Sequence, residues 1–289
     1  MQAPSDFQDA LAKCNAEVPV GPHGSIQLID VMPRLIEVGG LGPEAAIVQA
    51  ARVSTGGGMK TLPADLALLR YLFRHKHLTP FEMVTLKWRV VAPLFTTRQW
   101  MRHRAGSFNE QSARYGVVPV TDPYLPTDML AQSAANKQGG AAPLPAEAAA
   151  AVTESFRGVY AHAEAAYGDA LAGGVARELA RIVLPEGRYT TFYWSVNLRN
   201  LFGFLELRAA PDAQGDIRAY AGAILGILES YCPLAVQAFR DYQLEAVTLS
   251  ALEVRALQSG GDAEMTARER ASWAEKQKKL SAGALKSQV

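Results

Sequence analysis

Apolar positions along this chain recur with two different periods, and the change between them marks out its elements. Val84, Leu86, Trp88 and Val90 alternate with Thr85, Lys87 and Arg89. A period of two puts each set on its own face, so residues 84–90 predict a half-buried β-strand. Residues 188–196 are rich in aromatics and threonine, which favour the same state. Residues 25–31 predict a shorter strand behind the turn signal Gly21-Pro22-His23-Gly24, and residues 115–118 read as another. Elsewhere the period is helical. Leu66, Leu69, Leu72 and Phe73 recur behind Pro63, which suits a first helical turn, and predict a helix through Arg74. Pro93 predicts the start of a helix that carries Arg98 to His103. Residues 44–52, 147–172, 175–184, 197–209 and 216–242 read as further helices.

The breaks are equally informative. Thr55-Gly56-Gly57-Gly58 and Gly173-Gly174 interrupt helical runs. Residues 121–146, rich in Pro, Gly, Ala, Ser and Asn, read as an inserted loop. The expected organisation is an N-terminal extension (1–24), one main domain (25–250) and a polar C-terminal tail (251–289), frayed or a solvated helix. Helices and a few strands without a βαβ rhythm predict an α+β fold. No G-x-G-x-x-G follows a predicted strand and no G-x-x-x-x-G-K-[ST] occurs. A dinucleotide bound here would not rest on a Rossmann turn or a P-loop.

Composition narrows the chemistry. The 289 residues are 49% apolar and 20% charged, as in ordinary globular proteins, with a formal net charge of +1. That balance argues against a nucleic-acid or membrane-surface partner, so anion binding has to come from a local arginine cluster. Two cysteines, Cys14 and Cys232, cannot build a disulfide framework or a four-cysteine metal site. Among the histidines, His75 and His77 lie close together, but no H-E-x-x-H accompanies them, so no metal is expected. No apolar run reaches the roughly 18 residues of a membrane helix. Residues 1–9 do not resemble a secretory signal, so a cytoplasmic enzyme is the expectation.

The densest chemistry lies in Gln99-Trp-Met-Arg-His-Arg-Ala-Gly-Ser-Phe-Asn-Glu-Gln-Ser-Ala-Arg-Tyr115. On a helix, Gln99, Arg102 and His103 would share a face at i, i+3 and i+4. Arginine forks match phosphate oxygens. Ser107, Asn109 and Ser112 can read a ring edge, and Glu110 can pair with an arginine or accept from a ring N–H or a ribose hydroxyl. Trp100, Met101 and Phe108 flank these groups, which places them in a partly buried cleft where a phosphorylated ligand would partner the arginines.

Arg102-His103-Arg104, then seven residues, then Ser112 resembles the signature of the flavin-dependent thymidylate synthases. So does the surrounding Asn109-Glu110-x-Ser112-x-Arg114-Tyr115. Ala51-Arg52-Val53-Ser54, His77-x-Thr79-Pro80-Phe81-Glu82, Arg177-Glu-x-Ala-Arg181-Ile-Val-Leu-Pro185, Trp194-x-Val-Asn197-x-Arg199 and Leu207-Arg208 resemble further blocks of that family. The resemblance covers roughly residues 25–245. Gln132-Ser133 and Asn136-Lys137-Gln138-Gly139 resemble an insert found in some members.

The resemblance implies a fold with a small, mostly antiparallel sheet flanked by helices. It implies reductive methylation of dUMP to dTMP, with FAD as cofactor and with NADPH and 5,10-methylenetetrahydrofolate as co-substrates. It implies a homotetramer with sites at subunit junctions. Arg208 would be the catalytic cation near the uracil. By the same resemblance Gln99, Trp100, Met101, Arg102, Glu110, Gln111, Ser112, Ala113, Arg114, Arg181 and Arg208 would hold dUMP, its phosphate on Gln99, Ser112, Arg114 and Arg181. His77, Thr79, Arg102, His103, Arg104, Glu110, Asn197, Arg199 and Gly203 would contact FAD. Gly203 stands where relatives often carry Asn or His. That departure leaves a second reading, a flavin-binding NADPH oxidase without methylation. The residues themselves add one argument. Cys14 lies outside the matched region, and Cys232 falls in an apolar helix, so neither suits a nucleophilic thiolate.

Overall fold

The computed structural model describes residues 15–33, 43–54, 56–57, 61–117, 122–134, 139–262 and 264–286. They form two compact units, residues 1–238 and 239–289.

The first unit is built on a five-stranded antiparallel sheet in the order β1-β2-β3-β7-β4. Its strands are β1 (Val18–Val20), β2 (Gly24–Met32), β3 (Thr85–Pro93), β4 (Ser107–Glu110) and β7 (Tyr189–Asn197). β3 and β7 pair over nine residues in unbroken register, with Trp88 opposite Trp194. Leu86, Trp88, Val90, Phe192, Trp194 and Val196 are all buried on one face, as the period of two requires. Trp100, Phe204 and Tyr220 pack on that face, with Trp100 5.4 Å from both Phe192 and Trp194 and 5.0 Å from Phe204. Each such ring contributes roughly 1.5–3 kcal/mol by leaving water.

The helices are α1 (Glu44–Val53), α2 (Leu62–Arg74), α3 (Leu94–Trp100), α4 (Ala146–Ala172), α5 (Arg177–Ala180), α6 (Leu198–Arg208), α7 (Gly215–Tyr231) and α8 (Pro233–Phe239). A buried Arg52–Asp65 ion pair ties α1 to α2. Buried Glu44 accepts the Ala235 N–H at 2.5 Å and so ties α1 to α8. Asn197 caps α6, its Oδ1 accepting from Asn200 N at 2.9 Å.

Several expectations need correction. Residues 175–184 do not form one helix: α5 passes into a 3-10 turn, Arg181–Val183, because Leu184 precedes Pro185 and is extended. The 216–242 helix is interrupted at Cys232, where Pro233 follows, and ends in a π turn, Arg240–Leu244. α3 stops at Trp100, so Arg102 and His103 lie in i→i−3 turns beyond it. Residues 113–116 are a turn rather than strand; β4 already occupies the edge of β7, and Val118 lies outside the described residues. The 121–146 segment is not all loop: β5 (Leu130–Gln132) and β6 (Gly140–Pro143) make a hairpin there. Asn136, Lys137 and Gln138 lie outside the described residues. β1 falls within residues 1–24, so part of that stretch belongs to the sheet.

The second unit holds α9 (Ala251–Ser259) and α10 (Ala267–Lys286). Ser250 and Glu253 form a capping box and Gly260 ends α9 at φ 72°. Ala256, Met265 and Trp273 bury a small core with Leu249 and Leu252. The few apolar residues of this polar segment are therefore collected in one place.

Candidate active site

Three polar clusters grow out of the first unit. The first lies where α3 and α6 end. Arg208, the last residue of α6, donates from Nε to His103 Nε2 at 2.9 Å and from Nη2 to the Gln99 carbonyl at 3.3 Å. His103 packs edge-on to Phe204 with ring centroids 4.9 Å apart. Burial, with the Arg208 charge beside it, pushes the His103 pKa down to about 4. The ring is therefore neutral at pH 7. Its Nε2 accepts from Arg208, so Nδ1 carries the proton. Burial also lowers the Arg208 pKa, but a guanidinium stays charged. The result is a half-buried cation with a fixed orientation.

The second cluster lies beyond β4. Glu110 Oε1 accepts from Thr190 Oγ1 at 2.9 Å. The Gln111 N–H is taken by Thr191 O and the Arg114 N–H by Ser112 Oγ. Among the described residues the N–H groups of Ser112 and Ala113 have no acceptor. Arg114 meets Glu178 at 3.5 Å and Arg177 reaches Tyr115 O at 3.4 Å, so the turn docks on α5. Arg181 touches only the Glu178 carbonyl, at 3.4 Å. Arg114, Arg177 and Arg181 are exposed, and Leu179, Ile182 and Val183 beside them are 56%, 74% and 46% exposed.

The third cluster surrounds the end of α2. Lys76 adopts φ 58°, with its N–H on Phe73 O and the His77 N–H on Leu72 O. This is a Schellman motif, which ends the helix and turns His77 outward. Tyr71 stacks on His77 and lies 4.4 Å from His75. Thr79 opens the 3-10 turn Thr79–Met83, whose Glu82 pairs with Arg199 in the first turn of α6. Among the described residues no three His, Cys, Asp or Glu side chains are grouped to hold a metal ion.

The expected site residues are distributed among these clusters unequally. Asn197 and Arg199 lie at one end of α6 and Arg208 at the other, about 15 Å apart at 1.5 Å per residue, so they do not share one spot. Trp100 is fully buried, with its ring packed in the core. The Asn197 side-chain oxygen is committed to the cap. Arg102 and Arg104 are exposed, with no side-chain partner among the described residues. A Cβ on Gly203 would meet nothing within 4 Å, so space is open beside it. Cys232 is fully buried; Cys14 lies outside the described residues. Glu82, Tyr71 and Glu178 emerge as partners of the expected residues only from tertiary contacts. A separate cavity of about 1070 Å3, lined by Phe95, Tyr124, Tyr160, Tyr189 and Tyr220 among others, includes none of the expected site residues.

An antiparallel sheet with helices on its core face, an oriented half-buried cation and an arginine-rich face, with no Rossmann turn and no accessible thiol among the described residues, defines an α+β enzyme that handles anions. A family model described as thymidylate synthase complementing protein matches residues 34–234. The chain is 41% identical over 266 residues to the flavin-dependent thymidylate synthase of Dictyostelium discoideum, covering 91% of this chain and 87% of that one. It is 47% identical over 240 residues to the enzyme of the same name from Thermus thermophilus, covering 83% and 84%. Among solved structures it resembles the UMP/dUMP methylase PolB from Streptomyces cacaoi, bound with 5-Br dUMP, at 31% identity and a TM-score of 0.68, covering 78% of this chain and 99% of that one. The chain belongs to the flavin-dependent thymidylate synthase family.

Proposed function

We propose that this chain methylates dUMP to dTMP, with FAD as its resident cofactor and with NADPH and 5,10-methylenetetrahydrofolate as co-substrates, as a cytoplasmic enzyme of nucleotide biosynthesis. The observation that carries the reading is the Arg208 cation, held by His103 and the Gln99 carbonyl. A fixed cation beside the uracil ring stabilises negative charge that develops on N3 and O2 and activates C5 without an enzymic nucleophile. Burial of Cys232 fits that route.

The residues present suit a flavin dinucleotide. Arg102 and Arg104 offer exposed cations to a pyrophosphate, Arg199 would contact the group from beside its Glu82 partner, and the open space at Gly203 admits a ring against α6. His77 and Thr79 would face the same group, and His103 would offer its Nδ1–H. Bound flavin supplies the reducing equivalents. Ser112, Arg114 and Arg181, with the N–H groups of Ser112 and Ala113, would hold the nucleotide phosphate. Glu110 would accept from a sugar hydroxyl or ring N–H.

We further propose a homotetramer in which one chain's arginine face completes another chain's Arg208 site. No hydrogen bond or ion pair among the described residues joins the two clusters within one chain, and the exposed Leu179, Ile182 and Val183 suit burial against another copy.

Flavin absorbance of the purified protein, and tritium release from C5-labelled dUMP with NADPH and methylenetetrahydrofolate, test the reading. Protein that neither holds nor takes up flavin and releases no tritium overturns it. Flavin reduction by NADPH without tritium release would instead identify an oxidase.

A further inference from the structure

Gln99 belongs to a hydrogen-bond chain whose other members the sequence did not single out. Its Nε2 donates to Gln214 Oε1. Gln214 Nε2 donates to Asp216 Oδ2 at 2.9 Å, and Tyr124 Oη donates to Asp216 Oδ1. The far end is firmly held. Tyr124 packs edge-on to Phe95 with ring centroids 5.2 Å apart, and its N–H donates to the Gly187 carbonyl at 2.8 Å. Burial and the facing Asp216 carboxylate push its phenol up, so it stays a donor. Gln214 is the N-cap residue of α7 and Asp216 lies in that helix's first turn.

The direction of this chain has a cause. An amide can face a neighbour with either its oxygen or its NH2 group, but a carboxylate only accepts. Asp216 therefore requires the NH2 group of Gln214. That leaves Gln214 Oε1 facing Gln99, which requires the NH2 group of Gln99. Gln99 Oε1 is then turned away from the chain. No group among the described residues donates to it. The main-chain carbonyl of the same residue receives Arg208 Nη2 at 3.3 Å, so Gln99 borders the Arg208 cluster.

We infer that Asp216, acting through Gln214, fixes Gln99 with its acceptor toward the substrate, so that Gln99 reads a hydrogen-bond donor of the nucleoside and not the phosphate. This rests on the dUMP reading above and corrects one part of it, the placing of Gln99 at the phosphate. The donor is the uracil imide N–H or the deoxyribose 3′-hydroxyl. Asp216, Gln214 and Tyr124 are positioning residues; only Gln99 touches substrate. The arrangement opposes a ring that presents a lone pair at this position, as cytosine does at N3, because two acceptors would then face each other.

The test is binding to the flavin-loaded holoenzyme, with dUMP measured directly and deoxyuridine by competition. Gln99→Ala should weaken both about tenfold, the worth of one hydrogen bond, leaving their ratio unchanged. A loss confined to dUMP would place Gln99 on the phosphate and overturn the inference. Asp216→Asn, which permits the reversed amide chain, should weaken dUMP several-fold in the wild-type background and add nothing to Gln99→Ala. Additive effects would overturn the relay, and Gln214→Ala, which removes the intermediate amide, provides the same cycle should Asp216→Asn fail to fold. Two analogues separate the donors. N3-methyl-dUMP or 2′,3′-dideoxyuridine monophosphate should be indifferent to Gln99→Ala, whichever lacks the donor in question. If both stay as sensitive as dUMP, the inference fails. Wild-type holoenzyme that does not bind dUMP at all would overturn the nucleotide reading first and this inference with it.

Discussion

The Arg208 cluster and the Arg114–Arg181 face use the same side chain in opposite ways. Arg208 is half-buried, with two of its donors held by a neutral imidazole and a main-chain carbonyl. Arg114 and Arg181 are exposed, with contacts at 3.5 and 3.4 Å to Glu178. Partial burial makes the orientation of Arg208 costly to change and its charge hard to screen. Exposure leaves the other two screened and able to exchange partners. The first arrangement suits a charge that acts on a reacting ring. The second suits a surface that waits for a phosphate and a neighbouring chain.

The largest test of that contrast is Arg208→Ala. It should lower turnover of dUMP about 10²–10³-fold, the usual cost of removing an oriented electrostatic donor, while NADPH still reduces the flavin. Equal loss of both half-reactions would remove the distinction. Arg181→Ala should act on binding instead, raising the KM for dUMP roughly tenfold to a hundredfold, as for a charged hydrogen bond, with kcat little changed. A kcat effect matching that of Arg208→Ala would merge the two regions. Mixing the two variants sharpens the comparison further. If different chains supply the two arginines, reassembled hybrids assayed at subsaturating dUMP should recover up to roughly a quarter of wild-type activity, the chance that both halves of a site are intact. No recovery would place both arginines of a site on one chain.

Acid should reach the Arg208 cluster through His103. Its folded pKa of about 4 lies below the ordinary 6.5. The unfolded chain therefore takes up the proton first, so stability is full above 6.5 and falls as pH drops from 6.5 toward 4. Thermal melts of the wild type and His103→Gln across that window measure the difference, which should narrow in acid. A constant gap would deny the shift. The smallest expected effect is salt. Raising ionic strength should raise the KM for dUMP modestly through the exposed arginines and leave kcat nearly unchanged. A kcat that fell with salt would mean that the Arg208 charge is also screened.

Local pattern accounts for the elements whose partners it also names. The alternation of Leu86, Trp88 and Val90 is a buried face wherever the strand pairs, and β3 is where it was expected. Pro63 and Pro93 mark helix starts by the geometry of one ring. Boundaries failed where a single residue outweighed the pattern, as Pro185 and Pro233 do. The polar C-terminal tail reads as frayed or a solvated helix, yet Met265 and Trp273 meet Ala256 across the turn between two helices. Sparse apolar residues make a core only when the chain brings them together, which no window of sequence displays.

The site divides in the same way. The sequence by itself determined the inventory: arginines without a thiolate route, no nucleotide-binding glycine turn, and a motif dense enough to mark the family. These are properties of residue type and short spacing. Only the tertiary structure decided what each group is free to do. It gave Trp100 to the core and the Asn197 oxygen to a helix cap, and it set Arg199 and Arg208 at opposite ends of α6. It brought Gln214 to Gln99 across 115 positions and so gave an otherwise reversible amide a direction. Orientation depends on which donor meets which acceptor, and those meetings are made by the packing of the sheet and its helices.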